Sequence, residues 1–245
     1  DKTLSTYIFF ISFIGIYDSG IGGLTSAKII LERFGGNDVY YLADNLNHPF
    51  GTKDEDALKD IVFEGIKRVR AHSDTVVIAC NTASSITEDN DVIKLLPPIE
   101  QNAQDADSTL LMATVRTLGK IQNTGGCKVA DTAELATLIE VQAGLNYLKN
   151  SLDMSELLPY LAPRLHKFKG VKKVILGCSH YLFCKPQITK CLGNVEFCDG
   201  NERLCASLAE RVQSRPDMPA KITFDFTALN ESKKYNAILK MLLNN

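Results

Sequence analysis

The segment FIGIYDSGIGGLTSAKIILERF, residues 13–34, decides the fold because it combines a strand, a glycine-rich turn and a helix. The run that ends at Asp18 is apolar, which is typical of a strand buried on both faces of a parallel sheet. Residues 24–34 have the apolar spacing of an amphipathic helix. The segment therefore predicts one β-turn-α unit of a parallel α/β sheet.

Strand-like runs alternate with helical stretches along the rest of the chain. The predicted strands lie at 38–44, 75–80, 109–114, 128–131, 171–178, 194–199 and 222–227, and the predicted helices near 54–70, 86–95 and 133–150. This alternation implies βαβ units and parallel sheets. In such sheets, ligands bind at the carboxyl ends of the strands.

Pro97 and Pro98 interrupt the chain after the predicted helix near 86–95, and we place a domain boundary there. We place a second crossing near 200–208, so that the C-terminal segment returns to the first domain. The predicted first domain comprises residues 1–97 plus 206–245, and the second comprises residues 98–205.

Two segments of the chain resemble each other. VVIACNTAS at 76–84 and VILGCSHYL at 174–182 both consist of an aliphatic run, a small residue, a cysteine and polar residues. A chance match between short apolar strands is the alternative to a true repeat. A repeat predicts an α/β fold with two similar domains of mostly parallel strands, related by a pseudo-two-fold axis, with the active site in the cleft between them.

The chain has 245 residues, of which 45% are hydrophobic and 23% are charged, and its formal net charge is −2. This composition is typical of a globular protein with a full core. The charge argues against nucleic acid or an anionic membrane as a partner. The apolar run at residues 7–17 is too short to span a bilayer, and a buried strand is a better interpretation than a secretion signal.

The seven cysteines form no disulfide framework typical of a secreted module, because their number is odd and they are widely spread. We therefore expect mostly free thiols in a reducing cytoplasm. The spacing of Cys184, Cys191, Cys198 and Cys205 does not match the usual pattern of zinc sites.

Cys80 and Cys178 each follow an apolar strand, where we expect a partly exposed thiol at the mouth of the sheet. A free thiol has a pKa of about 8.5, and a helix N-terminus lowers it. For either cysteine alone, an inert buried residue is the alternative. If the two halves face each other, one thiol can deprotonate a carbon while the other protonates its opposite face, which inverts a stereocentre without a cofactor.

The turn DSGIGG at 18–23 opens a helix, a position where backbone amides bind anions. It matches neither the Walker A pattern nor the full dinucleotide-binding pattern, so a carboxylate is a better candidate ligand than a nucleotide. Asn81, Thr82 and Ser179 add neutral donors. These residues predict a small carboxylate-bearing substrate such as an amino acid.

Asp18 and His180 are the charged candidates near the two thiols. Asp18 can pair with a substrate ammonium or polarise a thiol, and a helix N-cap is its alternative role. His180 lies two residues after Cys178 and can protonate or orient that thiol, and a solvated loop histidine is its alternative.

Four motifs in order resemble those of glutamate racemases. They are IGIYDSGIGGLT at 14–25, YLAD…HPFG at 41–51, ACNTAS at 79–84 and LGCSHY at 176–181. The resemblance implies a two-domain α/β isomerase without pyridoxal phosphate or any other cofactor and without a metal. It also implies a cytoplasmic location, glutamate as the substrate, D-glutamate for cell-wall peptidoglycan as the product, and a homodimer as one candidate assembly.

The resemblance also implies roles for individual residues. Cys80 corresponds to the cysteine that acts on the D-substrate, and Cys178 to the one that acts on the L-substrate. Asp18 and His180 correspond to residues that assist the thiols, and Glu140 to a further acidic residue near the site. The implied substrate-binding residues are Asp18, Ser19, Phe50, Gly51, Asn81, Thr82, Thr117, Ser179 and His180.

Three features depart from the family pattern. Arg116 occupies a position where glycine is usual, Leu182 replaces a proline, and residues 98–108 differ from the usual strand and turn. A side chain at position 116 is expected to narrow the cleft. These departures keep two alternatives open: a racemase of aspartate or another acidic amino acid, and a catalytically weakened relative that binds an acidic ligand or a protein partner.

Overall fold

Two parallel sheets organise the computed structural model, which describes residues 13–244 apart from the side chains of residues 103 and 104. The strands are β1 (Phe13–Asp18), β2 (Asp38–Ala43), β3 (Thr75–Ile78), β4 (Ile93–Lys94), β5 (Thr109–Ala113), β6 (Lys128–Ala130), β7 (Lys173–Gly177), β8 (Glu196–Cys198) and β9 (Ile222–Phe226). Residues 7–12 of the predicted N-terminal apolar strand lie outside the described residues.

Helices connect most of the strands. They are α1 (Leu24–Arg33), α2 (Glu55–Arg70), α3 (Asn81–Ile86), α4 (Val115–Lys120), α5 (Leu135–Asn146), α6 (Leu158–Leu165), α7 (Lys185–Leu192), α8 (Asn201–Ala209) and α9 (Ser232–Leu243). Short 3-10 turns at Phe50–Thr52 and Ser179–Cys184 lie next to the predicted site. Among the described residues, none of the helices is both long enough and apolar enough to cross a bilayer.

The two sheets repeat the same strand order. The first is β4-β3-β1-β2-β9, and the second is β8-β7-β5-β6, with every pair of neighbours parallel. Thus β3 and β7, which precede Cys80 and Cys178, occupy equivalent positions beside β1 and β5. This arrangement confirms the predicted α/β fold of two similar, mostly parallel sheets.

We call the first sheet with α1, α2, α3 and α9 the first lobe, and the second sheet with α4 to α7 the second lobe. The C-terminal β9 pairs with β2 and so adds a fifth strand to the first sheet. The domain limits at 97/98 and 205/206 stay a prediction, and the second of them falls inside α8.

The helix predicted near 86–95 is wrong. The chain leaves the helical conformation at Thr87, and residues 93 and 94 form β4 instead. Thr87 Oγ1 accepts the backbone N–H of Asp89, and Asp89 Oδ1 accepts that of Asp91. Side chains that bind backbone N–H groups two residues ahead favour turns over a helix, which explains the interruption.

The glycine-rich turn at residues 18–23 brings the two lobes into contact. A Cβ atom at Gly22 would clash with Ser179 Oγ and lie 2.8 Å from the backbone nitrogen of His180. At Gly20 it would lie 2.6 Å from Glu140 Oε2. The absence of side chains at these positions therefore allows residues of the second lobe to approach the first-lobe backbone closely.

Candidate active site

Cys80 lies between β3 and the start of α3, and Cys178 lies between β7 and the 3-10 turn at Ser179–Cys184. Both residues are buried, with only 5% and 6% of their surface exposed. The expectation of partly exposed thiols is therefore wrong, because the lobes are closed against each other in this structure. Both sulfurs are free thiols, as are the other five cysteines, all of which lie in the described part of the chain.

Cys80 is held in its protonated form. Burial, followed by the negative charge of Asp18, raises the pKa of Cys80 to about 12. Cys178 contributes to the same shift, so the two sulfurs are close enough to influence each other's charge. The Cys80 Sγ lies 3.8 Å from Ser19 Oγ, its hydrogen-bond acceptor. At neutral pH this closed arrangement presents Cys80 as a proton donor.

Asp18 connects the turn of the first lobe with the second lobe. Its carboxylate accepts the backbone N–H of Gly20 at 2.8 Å and the hydroxyl of Ser179 at 3.1 Å. Burial raises the pKa of Asp18, and the charge of His180 partly opposes that shift. Asp18 is fully buried. A buried carboxylate beside Cys80 is suited to receive a substrate ammonium, which would offset its charge.

His180, which is buried, and Glu140, which is partly buried, form an ion pair in which His180 Nε2 lies 3.0 Å from Glu140 Oε2. Burial alone would lower the pKa of His180, but hydrogen bonds with Cys178 and Glu140 raise it well above its usual value. Burial alone would raise the pKa of Glu140, but the bond and charge of His180 lower it to about 2. An imidazolium therefore lies against the Cys178 sulfur, where it can stabilise a negative charge.

Glu140 also binds two groups of the first lobe. Its Oε2 accepts the backbone N–H of Ile21 at 3.0 Å, and its Oε1 accepts the ammonium of Lys234 at 3.2 Å. Lys234 is itself buried and pairs with Glu231 at 2.6 Å. Sequence reasoning missed Lys234, because it is one of several lysines on an amphipathic C-terminal helix and no motif surrounds it.

His48 is a second residue that sequence reasoning did not assign, although it lies in the quoted HPFG motif. Its ring centroid is 5.2 Å from that of His180. Burial and the positive charge of His180 lower the pKa of His48 to about 4, so its ring is neutral at neutral pH. A cavity of about 290 Å³ opens beside it, and its lining includes Ser19, Glu140 and Lys234.

Three threonine hydroxyls form a cluster on the other side of the interface between the lobes. Thr82 Oγ1 lies 2.9 Å from Thr114 Oγ1 and 3.3 Å from Thr117 Oγ1. Thr114 and Thr117 are 2.9 Å apart and belong to the second lobe. Sequence analysis assigned Thr82 and Thr117 to the site but did not assign Thr114. The Thr114 hydroxyl also accepts the backbone N–H of Thr117 and so caps the start of α4.

The remaining predicted residues are Phe50, Gly51 and Asn81, of which Gly51 lies next to this cluster. Phe50 is buried, and a Cβ at Gly51 would lie 2.8 Å from Thr114 Cβ. Asn81 donates its amide to the Leu95 carbonyl at 3.1 Å. Cross-lobe contacts thus involve the predicted residues Asp18 and Ser179, Glu140, Thr82 and Thr117, and Gly51. The roles of all the predicted site residues stay predictions.

Arg116 binds the first lobe from α4. Its guanidinium donates to the carbonyl of Lys53, and its Nη1 lies 3.4 Å from Glu55 Oε2. Lys120 of the same helix also binds Glu55. Arg116 therefore closes one side of the contact between the lobes through the N-terminal end of α2.

Known proteins resemble this chain over most of its length, although no family model matches it. A glutamate racemase of Clostridium novyi is 32% identical over 206 residues, covering 77% of this chain and 78% of the relative. One of Halothermothrix orenii is 28% identical over 208 residues, covering 77% and 80%. A crystal structure of a Bacillus anthracis glutamate racemase aligns with a TM-score of 0.74 and 24% identity, covering 96% and 94%.

The fold and these relatives define the protein as an amino-acid racemase, an isomerase that acts on a small molecule. The structural alignment supports the two-sheet fold, and the sequence match carries the family assignment. The chain belongs to the glutamate racemase family.

Proposed function

We propose that the protein interconverts L-glutamate and D-glutamate by proton transfer between Cys80, Cys178 and the substrate α-carbon. Glutamate is inferred from the names of the curated relatives. The cellular role inferred with it is the supply of D-glutamate for peptidoglycan.

The unequal electrostatic surroundings of the two thiols carry this proposal. A racemase of this kind needs one proton acceptor and one proton donor on opposite faces of the substrate. The pKa of Cys80 is raised to about 12, so this residue is the donor in the resting site. Cys178 lies beside the His180 imidazolium, which favours the acceptor role for its sulfur.

With the L-substrate, the Cys178 thiolate takes the α-proton, and the Cys80 thiol delivers its own proton to the opposite face. The product is the D-enantiomer, and the protein is left with a Cys178 thiol and a Cys80 thiolate. The D-substrate runs the same transfer in reverse. Burial and, after it, the charge of Asp18 hold the pKa of Cys80 high, and a substrate ammonium beside Asp18 would offset the second of these two causes.

The substrate carboxylates would be held by neutral donors rather than by arginine. Candidate donors are the hydroxyls of Ser19, Thr82, Thr117 and Ser179, together with backbone N–H groups at Asn81 and Gly51. All of these residues except Gly51 are buried. We further propose that the lobes, with limits at 97/98 and 205/206, separate to admit the substrate.

The decisive experiment incubates each glutamate enantiomer with the protein in heavy water. We expect loss of optical purity together with deuterium at the α-carbon. Cys80→Ala and Cys178→Ala should each abolish inversion, whereas Cys191→Ala, on α7 away from the predicted site, should retain it. Racemisation that survives in both active-site variants would contradict the two-cysteine mechanism.

A substrate panel decides between glutamate and a shorter acidic amino acid. We expect kcat/KM to be highest for glutamate and lower for aspartate, whose carboxylates are one methylene closer together. Faster turnover of aspartate would move the proposal to that substrate. Tight binding of either compound without α-proton exchange would indicate a catalytically weakened relative.

A further inference from the structure

Three potential metal ligands converge beside the predicted active site. They are His48, Glu140 and His180, and each offers one donor atom that lies within 4.8 Å of the donor atoms of the other two. Among the possible donor atoms of these residues, Glu140 Oε2 and His180 Nε2 are 3.0 Å apart. Two imidazoles and one carboxylate are a donor set that suits zinc and similar divalent ions.

His48 stands out within this group because its hydrogen-bonding capacity is unused. Within residues 13–244, neither of its ring nitrogens has a hydrogen-bond partner, although both atoms are buried. Buried polar atoms without a partner cost free energy and are uncommon in folded proteins. The ring nitrogens of His48 are therefore available to bind a ligand from outside the protein.

We propose that His48, Glu140 and His180 form a binding site for a divalent transition metal ion of the zinc type. The three residues lie far apart in the sequence, so motif spacing cannot reveal the site. The ion is proposed as an inhibitor, and the racemisation chemistry proposed above does not use it.

The geometry requires only a small adjustment. Zinc binds imidazole nitrogen and carboxylate oxygen at about 2.0–2.2 Å in a tetrahedral arrangement, which puts ligand atoms about 3.4 Å apart. The Glu140–His180 pair is already close to this spacing. Because the three donor atoms lie within 4.8 Å of one another, a shift of the His48 ring by at most about 1.4 Å would bring its nitrogen to the same spacing.

The surroundings also meet the needs of a metal site. Lys234 at 3.2 Å and the backbone N–H of Ile21 at 3.0 Å hold the Glu140 carboxylate in place. The positive charge of Lys234 opposes a cation, but its second partner Glu231, at 2.6 Å, offsets that charge. The cavity of about 290 Å³ beside His48 provides an entry path and room for a water molecule as fourth ligand.

Occupation of this site would inhibit racemisation, a consequence that rests on the proposed function. The metal would take His180 Nε2, the atom that now lies against Glu140. His180 would then carry no proton on that nitrogen and could no longer act as an imidazolium beside Cys178. We expect a chelator to restore activity fully, because no covalent bond to sulfur forms.

The test measures binding directly and does not depend on activity. Zn²⁺ is titrated calorimetrically into chelator-treated protein, and Co²⁺ provides an absorption spectrum that reports its ligands. We expect one ion per chain, ligated by nitrogen and oxygen, and a tenfold or greater loss of affinity in His48→Gln. His72→Gln is the matched control, because His72 is an exposed histidine that stacks on Tyr40 elsewhere.

Binding by the catalytic thiols is the competing explanation. We expect a Cys80→Ala, Cys178→Ala double variant to bind the ion as tightly as the wild type. An intense sulfur-to-cobalt charge-transfer band in the wild type, or unchanged affinity in folded His48→Gln, would overturn the proposal. An inactive protein that still binds one ion through His48 would contradict the proposed function and support the metal site.

Discussion

Lys234 and Glu140 form an ion pair between the lobes: the ammonium of Lys234 lies 3.2 Å from Glu140 Oε1, although the two residues are 94 positions apart. Their side chains are only 11% and 16% exposed. The other oxygen of Glu140 binds His180, which contacts Cys178. The C-terminal helix is thereby connected through three polar contacts to a predicted catalytic sulfur.

This connection predicts that Lys234 positions Glu140 and His180. Lys234→Met should lower kcat/KM tenfold or more, because Glu140 loses one of the groups that fix its orientation. Lys234→Arg should retain part of the activity, because it keeps the positive charge. Lys233→Met is the matched control, since Lys233 is exposed one position away on the same helix. Equal activities of Lys234→Met and Lys233→Met would contradict a positioning role.

The Glu140 carboxylate predicts a specific loss of stability in acid. Its pKa of about 2 lies below the value of about 4.3 for an unfolded glutamate, so its stabilisation is complete above pH 4.3. This contribution of about 3 kcal/mol is lost as the pH falls through 2. The contribution of His180 to the free energy of unfolding depends on pH in the opposite direction. Because its pKa is raised in the folded protein, His180 stabilises the fold at low pH, and this stabilisation is lost as the pH rises through the pKa of the folded state.

Urea unfolding between pH 7 and pH 3 measures this acid-sensitive contribution. We expect the free energy of unfolding to fall less steeply with acidification in Glu140→Gln than in the wild type. Glu134→Gln, which changes an exposed glutamate just before the same helix, should behave like the wild type. Parallel pH curves for Glu140→Gln and the wild type would show that the ion pair contributes nothing.

The strands and both cysteines could be predicted from the sequence because apolar runs and the polar residues that follow them are local signals. Lys234 and Thr114 could not, because their importance comes from contacts made across the lobes. The helix predicted near 86–95 failed for a local reason, since Thr87 and Asp89 bind the backbone ahead of them. The expectation that Arg116 narrows the cleft stays a prediction, and the contacts of its guanidinium with Lys53 and Glu55 could not be read from the sequence.

The contacts of Arg116 with the first lobe predict that its side chain stabilises the closed arrangement of the two lobes. Arg116→Ala should raise KM up to about fivefold with little change in kcat, because a contact of about 1 kcal/mol that favours the closed form is removed. Lys67→Ala is the control, since Lys67 pairs with Glu64 on the exposed face of α2. Steady-state kinetics of both variants provide the measurement. A lower KM in Arg116→Ala would instead indicate that this contact hinders substrate entry.

We expect substitution of Gly22 to disturb the contact between the lobes more than any other single change proposed here. An added methyl group would overlap Ser179 Oγ and approach the backbone nitrogen of His180 to 2.8 Å, so the lobes must separate or the turn must shift. We expect Gly22→Ala to lower the free energy of unfolding by about 1–3 kcal/mol and to reduce kcat/KM strongly.

Gly144→Ala is the matched control, because Gly144 lies within α5 and its Cβ would meet no neighbour within 4 Å. That change should stabilise the protein by about 0.5–1 kcal/mol, since alanine restricts the unfolded chain and favours a helix. Urea unfolding and kinetics distinguish the two variants, and normal activity in Gly22→Ala would refute the close approach of the lobes at this turn.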